Sequence, residues 1–128
     1  MAFNKINIDQ FDFLVVGANY EPLSIPCWAL LNYIKNNSKV KIVFITNGIN
    51  VEMWTNRMID DSIDYLYLFI PGKNSEEYLI KTDSSYGLSS FGMVNKFLKV
   101  LKKCDCSVNI CWNKSRNDVM KQIISVLY

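Results

Sequence analysis

The sequence contains no histidine. That removes the side chain that most often serves as a general base near neutral pH, and with it the commonest nitrogen ligand of zinc. With only three prolines and five glycines, the chain has no linker, repeat or low-complexity segment. No Gly-x-Gly-x-x-Gly occurs, and Asp83-Ser84-Ser85-Tyr86-Gly87 offers hydroxyls without the lysine of a phosphate loop. No stretch approaches the roughly 18 apolar residues of a membrane span. The N-terminus carries Lys5, Asp9 and Asp12 without a long apolar stretch, so a secretory signal is not expected and the expected location is cytoplasmic. The balance of 14 basic against 12 acidic residues gives no electrostatic footprint for nucleic acid. Lys99, Lys102 and Lys103 read as a solvated helix end.

What is present is a globular composition. The 128 residues, half of them hydrophobic and 20% charged, fit one domain that buries roughly two-thirds of its unfolded surface. The four cysteines, Cys27, Cys104, Cys106 and Cys111, are expected as free thiols in a reducing compartment. Cys27 falls in an apolar helix as a core residue. Cys104-Asp105-Cys106 lies at a helix-to-strand junction, and neither that pair nor its spacing to Cys111 is a standard zinc pattern, so no metal is expected.

Apolar runs at 11–17, 40–46, 64–70 and 106–112 read as strands. Helical spacing follows each of them. Ile25, Trp28, Leu31 and Ile34 mark a helix over 25–36, with Ser24 as its N-cap and Pro26 in the first turn. A short helix over 51–60 follows Asn50. A long connection, 73–89, leads to a helix opened by Ser89 or Ser90 with Phe91, Val94, Phe97, Leu98 and Leu101 as its stripe. The last helix, capped by Asn117 or Ser115, turns Val119, Met120, Ile123, Ile124 and Leu127 inward. Strands alternating with helices predict an α/β fold: a mostly parallel four-stranded sheet, either an open partial (β/α) barrel or a Rossmann-like three-layer arrangement.

Function in such folds lies at the carboxyl ends of strands. Four landmarks sit there: Glu21-Pro22-Leu23, Thr46-Asn47-Gly48, Pro71-Gly72 and Asn113. Their order resembles the middle of a radical S-adenosylmethionine (SAM) domain. Glu21-Pro22-Leu23 is similar to the second half of that family's Gly-Gly-Glu-Pro motif. Thr46-Asn47-Gly48 resembles its Thr-Asn-Gly turn, and Phe69-Ile70-Pro71-Gly72 its strand ending in a small polar residue, an apolar residue, Asp and Gly. A long loop, a helix and a strand carrying asparagine then follow, as in 73–113. The resemblance covers about 11–127 and implies one truncated radical-SAM-like domain over 1–128. It makes Glu21, Thr46, Asn47, Asn109 and Asn113 the candidate ligand-binding residues, with no catalytic residue among them.

The departures are equally specific. The family's Cys-x3-Cys-x2-Cys occurs nowhere in the 128 residues, so no iron–sulfur cluster is expected and SAM cannot be cleaved to a radical by this chain alone. Asn19 and Tyr20 stand at the two glycine positions that admit SAM, and Phe69 replaces a small polar residue. No cofactor is therefore expected on the chain by itself, with SAM retained as a possible ligand.

Alternation puts Tyr65, Tyr67 and Phe69 on one face of the third strand, with Ser107, Asn109, Cys111 and Asn113 sharing a face of the fourth. Four strands cannot close a barrel, so this inner face must be covered. A protein partner or a second copy meeting Tyr65, Tyr67, Phe69 and Asn109 is expected; the alternative is that 1–10 and 73–89 fold over it. Three functions follow: a non-catalytic module that binds a protein or peptide or itself through the inner face; a segment of a split or truncated radical SAM enzyme with the cluster on another chain; and a small Rossmann-like nucleotide-binding domain. Neither nucleic acid nor membrane is an expected partner.

Overall fold

The computed structural model describes residues 8–49, 54–72, 74, 76–78 and 84–127, with the backbone alone for 84–91. Four strands, β1 (Phe13–Val16), β2 (Lys41–Thr46), β3 (Tyr65–Ile70) and β4 (Ser107–Trp112), form one sheet in the order β1-β2-β3-β4. Every pairing is parallel. Helices α1 (Trp28–Asn37), α2 (Asn56–Ser62), α3 (Ser84–Leu101) and α4 (Arg116–Leu127) follow the strands in turn.

An unreversed strand order with crossovers of one hand places the connecting helices on one face. The larger core lies there: Leu31 and Ile34 of α1, Ile59 of α2, and Val94, Phe97 and Leu101 of α3 pack with Ile42, Phe44, Leu66, Leu68 and Ile70. Tyr78, in the connection before α3, is buried in the same cluster. The smaller core lies on the opposite face, where Val119 and Ile123 of α4 pack with Val43, Ile45 and Cys111. β2 is therefore buried on both faces from Ile42 to Thr46, while β4, at an edge, is largely exposed.

Local chemistry sets the element ends. Pro26 bars its predecessor from the helical region, and Ile25 is extended. The expected Ser24 cap is thus displaced: Pro22–Ser24 forms a 3-10 turn capped by Glu21, and α1 starts at Trp28. The expected Asn50 start lies outside the described residues; Thr55 is the N-cap of α2, accepting from Met58 N. Replacing Thr55 with alanine is expected to cost about 1 kcal/mol, read as a lower urea midpoint with an unchanged slope. α3 begins at Ser84, five residues before the expected Ser89, because Ser84–Leu88 are already helical. Ser115 and Asp118 form a reciprocal box at the start of α4: Ser115 N donates to Asp118 Oδ2 at 2.9 Å and Asp118 N to Ser115 Oγ at 3.2 Å. That selects Ser115 over Asn117.

Part of the inner face has a cover that the sequence did not single out. Neither 1–10 nor 73–89 is its cover among the described residues; α4 is. Phe69 and Tyr67 pack beneath that helix, half-buried, whereas Tyr65 remains 37% exposed and Asn109 is exposed.

Candidate functional site

The carboxyl ends of β1 and β2 converge on Glu21. Its placement begins with Gly17, whose φ of +93° turns the chain sharply after β1. The chain then returns through the 3-10 turn, and the Glu21 carboxylate caps it, accepting from Leu23 N at 2.9 Å. The same oxygen, Oε2, accepts from Thr46 Oγ1 at 2.6 Å. The other, Oε1, accepts from Asn47 N and from Arg116 Nη2, both at 2.8 Å.

A carboxylate offers about four lone-pair positions, and four donors of the chain fill them. Thr46 and Asn47 are engaged as well: Thr46 Oγ1 accepts from Gly48 N at 3.1 Å, and Asn47 Oδ1 from Ile49 N at 3.0 Å. The Thr46-Asn47-Gly48 landmark is thus a hydrogen-bonded turn, with Gly48 at φ +76°.

Arg116 is the residue that sequence reasoning missed. It is the first residue of α4, held there by the Ser115 box. Its Nη1 donates to the carbonyl oxygens of Gly17 and Ile45. Its guanidinium carbon lies 4.7 Å from the Phe69 ring centroid, within cation–π reach. The Glu21–Arg116 pair is well shielded, with side chains 15% and 18% exposed. No local signal marks it, because 95 residues separate the partners.

Asn113 and Asn109 lie on the far edge of the sheet, at and beyond β4. Asn113 follows β4 at φ 60°, a left-handed geometry asparagine tolerates, and its N–H donates to Gly72 O at 3.0 Å. Asn109 pairs in register with Tyr67 on the edge strand. Of the aromatic trio, Phe69 meets Arg116, Tyr67 lies beneath α4 and Tyr65 stacks at 6.4 Å from Phe13. Burial pushes the Tyr67 phenol and the Cys111 thiol up, so both stay neutral at physiological pH.

Between the last turns of α4 and the sheet the inner face keeps an apolar pocket of about 170 Å³, lined by Phe13, Val43, Tyr65 and Tyr67 of the strands and by Ile123, Val126 and Leu127 of α4. On the other face an open groove of about 720 Å³ runs between α3 and the edge strand, with Leu98, Val108, Ile110 and Trp112 on its walls.

The opposite end of the sheet holds a second polar cluster, Asp60, Cys104 and Cys106. Spacing within 104–111 did not point to it, since its third member lies on α2. Burial pushes the Cys104 thiol up to about 11 and the Cys106 thiol up to about 12, with the Asp60 carboxylate adding to both.

The fold and site together define an α/β protein built on a singly wound parallel sheet, with a self-filled polar cluster at the carboxyl ends of its first strands. No family model, curated protein or solved structure matches the chain. No helix among the described residues is long and apolar enough to cross a membrane.

Proposed function

We propose that the chain is a non-catalytic, degenerate radical-SAM-like module that binds a protein, or a second copy of itself, through the part of the inner face that borders the end of α4. One observation carries this reading: every acceptor position of Glu21 is taken by the chain itself, and Arg116 occupies the place where a ligand cation would meet that carboxylate. A filled site favours a retired pocket over a working one. The binding surface is then the apolar end, where Phe13 and Tyr65 border the inner-face pocket beside Val126, which is 72% exposed. The strand order supports the same choice over nucleotide binding, since β1-β2-β3-β4 has no reversal and hence no switch-point crevice.

The split-enzyme reading retains one observation in its favour. Glu21, Thr46, Asn47 and Asn113 all lie at the carboxyl end of one sheet. The two readings separate on titration calorimetry with SAM and light scattering over a wide protein range. The module reading expects no heat with SAM, and self-association that Val126→Asp abolishes without changing the far-UV spectrum. Micromolar SAM affinity would transfer support to the split enzyme. A strict monomer at every concentration would remove the second copy as the partner.

A further inference from the structure

We propose that Asp60, Cys104 and Cys106 form a site for one divalent cation of the zinc type, at the amino end of the sheet. One carboxylate oxygen and the two sulfurs all lie within 4.8 Å of one another. The three come from two segments that the fold brings together, the last turns of α2 and the turn between α3 and β4. Tetrahedral zinc, with bonds of about 2.3 Å to sulfur and about 2.1 Å to oxygen, needs its ligand atoms roughly 3.5–3.8 Å apart. Rotation of the two cysteine side chains closes the remainder. That rotation releases weak contacts from Cys104 Sγ to Val100 O at 3.5 Å and to Asn56 O at 3.9 Å, together with the thiol hydrogen bonds that link Cys104 to Cys106 and Cys106 to Asp60.

The carboxylate is already oriented as a ligand is. Asp105 N donates to Asp60 Oδ1 at 2.9 Å and Oδ2 at 3.0 Å, and Cys106 N donates to Oδ1 at 2.9 Å. Oδ1 is thereby saturated and Oδ2 keeps a lone pair. Behind it, Lys35 Nζ donates to the Asp60 carbonyl oxygen at 2.6 Å, fixing the backbone. Such outer contacts set ligand orientation in metal sites. All three residues are half-buried, so the fourth position is open to water.

The exchange balances. One M²⁺ displaces the two thiol protons, which pass to solvent, and two M–S bonds replace two S–H bonds. The cluster carries one negative charge before, from Asp60, and one after, so binding adds no net charge to it. Lys35, whose Nζ also lies 3.7 Å from Asp64, offsets that charge in either state. The position lies at the end of the sheet opposite Glu21. The ion would clamp α2 to the start of β4, so zinc is expected to raise the melting temperature.

The test uses the full chain, reduced and metal-free, titrated with Co²⁺ alone and then with Zn²⁺ alone against a chromophoric chelator. The expected result is one ion per chain, micromolar or tighter, with a thiolate-to-cobalt charge-transfer band that Zn²⁺ abolishes. Cys104→Ser and Cys106→Ser should each remove the band, and Asp60→Asn should weaken binding by at least about 10-fold. Because Asp60→Asn also disturbs the backbone contacts at Asp105, the two serine variants, checked by far-UV spectra, carry the decision. Absence of the band overturns the site, as does binding that survives both serine substitutions. A purified chain lighter by two hydrogens, with a Cys104–Cys106 disulfide that persists in a thiol buffer, overturns it as well.

Discussion

Gly17→Ala is expected to lower stability by about 4 kcal/mol, a large fraction of the roughly 5–15 kcal/mol of a native domain. Two costs add. The residue sits at φ +93°, where an L side chain costs about 1–2 kcal/mol. A Cβ there would lie 2.3 Å from the Ile45 carbonyl oxygen and 2.9 Å from Pro22 Cδ, and overpacking of this kind costs about 1–3 kcal/mol. Neither neighbour can give way cheaply. Ile45 belongs to the central strand, buried on both faces, and its carbonyl also accepts from Arg116 at 3.1 Å. Pro22 is rigid and capped by Glu21. Urea titration measures the loss, and Gly92→Ala is the control. Gly92 lies inside α3 with nothing within 4 Å of an added Cβ, so alanine there should stabilise by roughly 0.5–1 kcal/mol. Equal midpoints for Gly17→Ala and the wild type would disprove the tight turn.

Arg116→Ala should cost about 3 kcal/mol, toward the low end for breaking a shielded ion pair by removing one partner. The loss is not the pair's attraction alone. Glu21 Oε1 and the carbonyls of Gly17 and Ile45 each lose a donor, and the ring of Phe69 loses its cation. Both side chains keep some solvent contact, so water recovers part of the deficit and the upper end of the range is not expected. Arg116→Lys should recover only a fraction, since an ammonium cannot present two parallel edges to a carboxylate and two carbonyls at once. A double-mutant cycle with Glu21→Gln isolates the coupling. Additive losses would mean that Arg116 and Glu21 do not act together, and the filled-site reading would fall with them. Calorimetry of Arg116→Ala with SAM gives the complementary functional readout: an emptied site that then binds would show that the arginine is the obstruction.

The sequence by itself determined the class of fold. Apolar runs ending at Gly17, Thr46, Ile70 and Trp112, with period-3.6 stripes between them, are local signals, and each strand formed within two residues of the expected limits. The alternation of Tyr65, Tyr67 and Phe69 against Leu66, Leu68 and Ile70 was legible for the same reason, and the burial of β3 follows it. Boundaries shifted where neighbouring chemistry competed, as at Pro26.

Tertiary structure alone decided which face each helix covers. The stripe of Val119, Ile123 and Leu127 states that α4 is buried on one side. It does not state on which side of the sheet, because amphipathicity carries no topological sign. α4 crossed to the inner face, and that choice brought Arg116 to Glu21 and covered Tyr67 and Phe69. The meeting of Asp60 with Cys104 and Cys106 has the same origin. Pairs separated by 46 and 95 residues leave no periodic trace, since their proximity is fixed by packing of whole elements and not by any local preference of the chain.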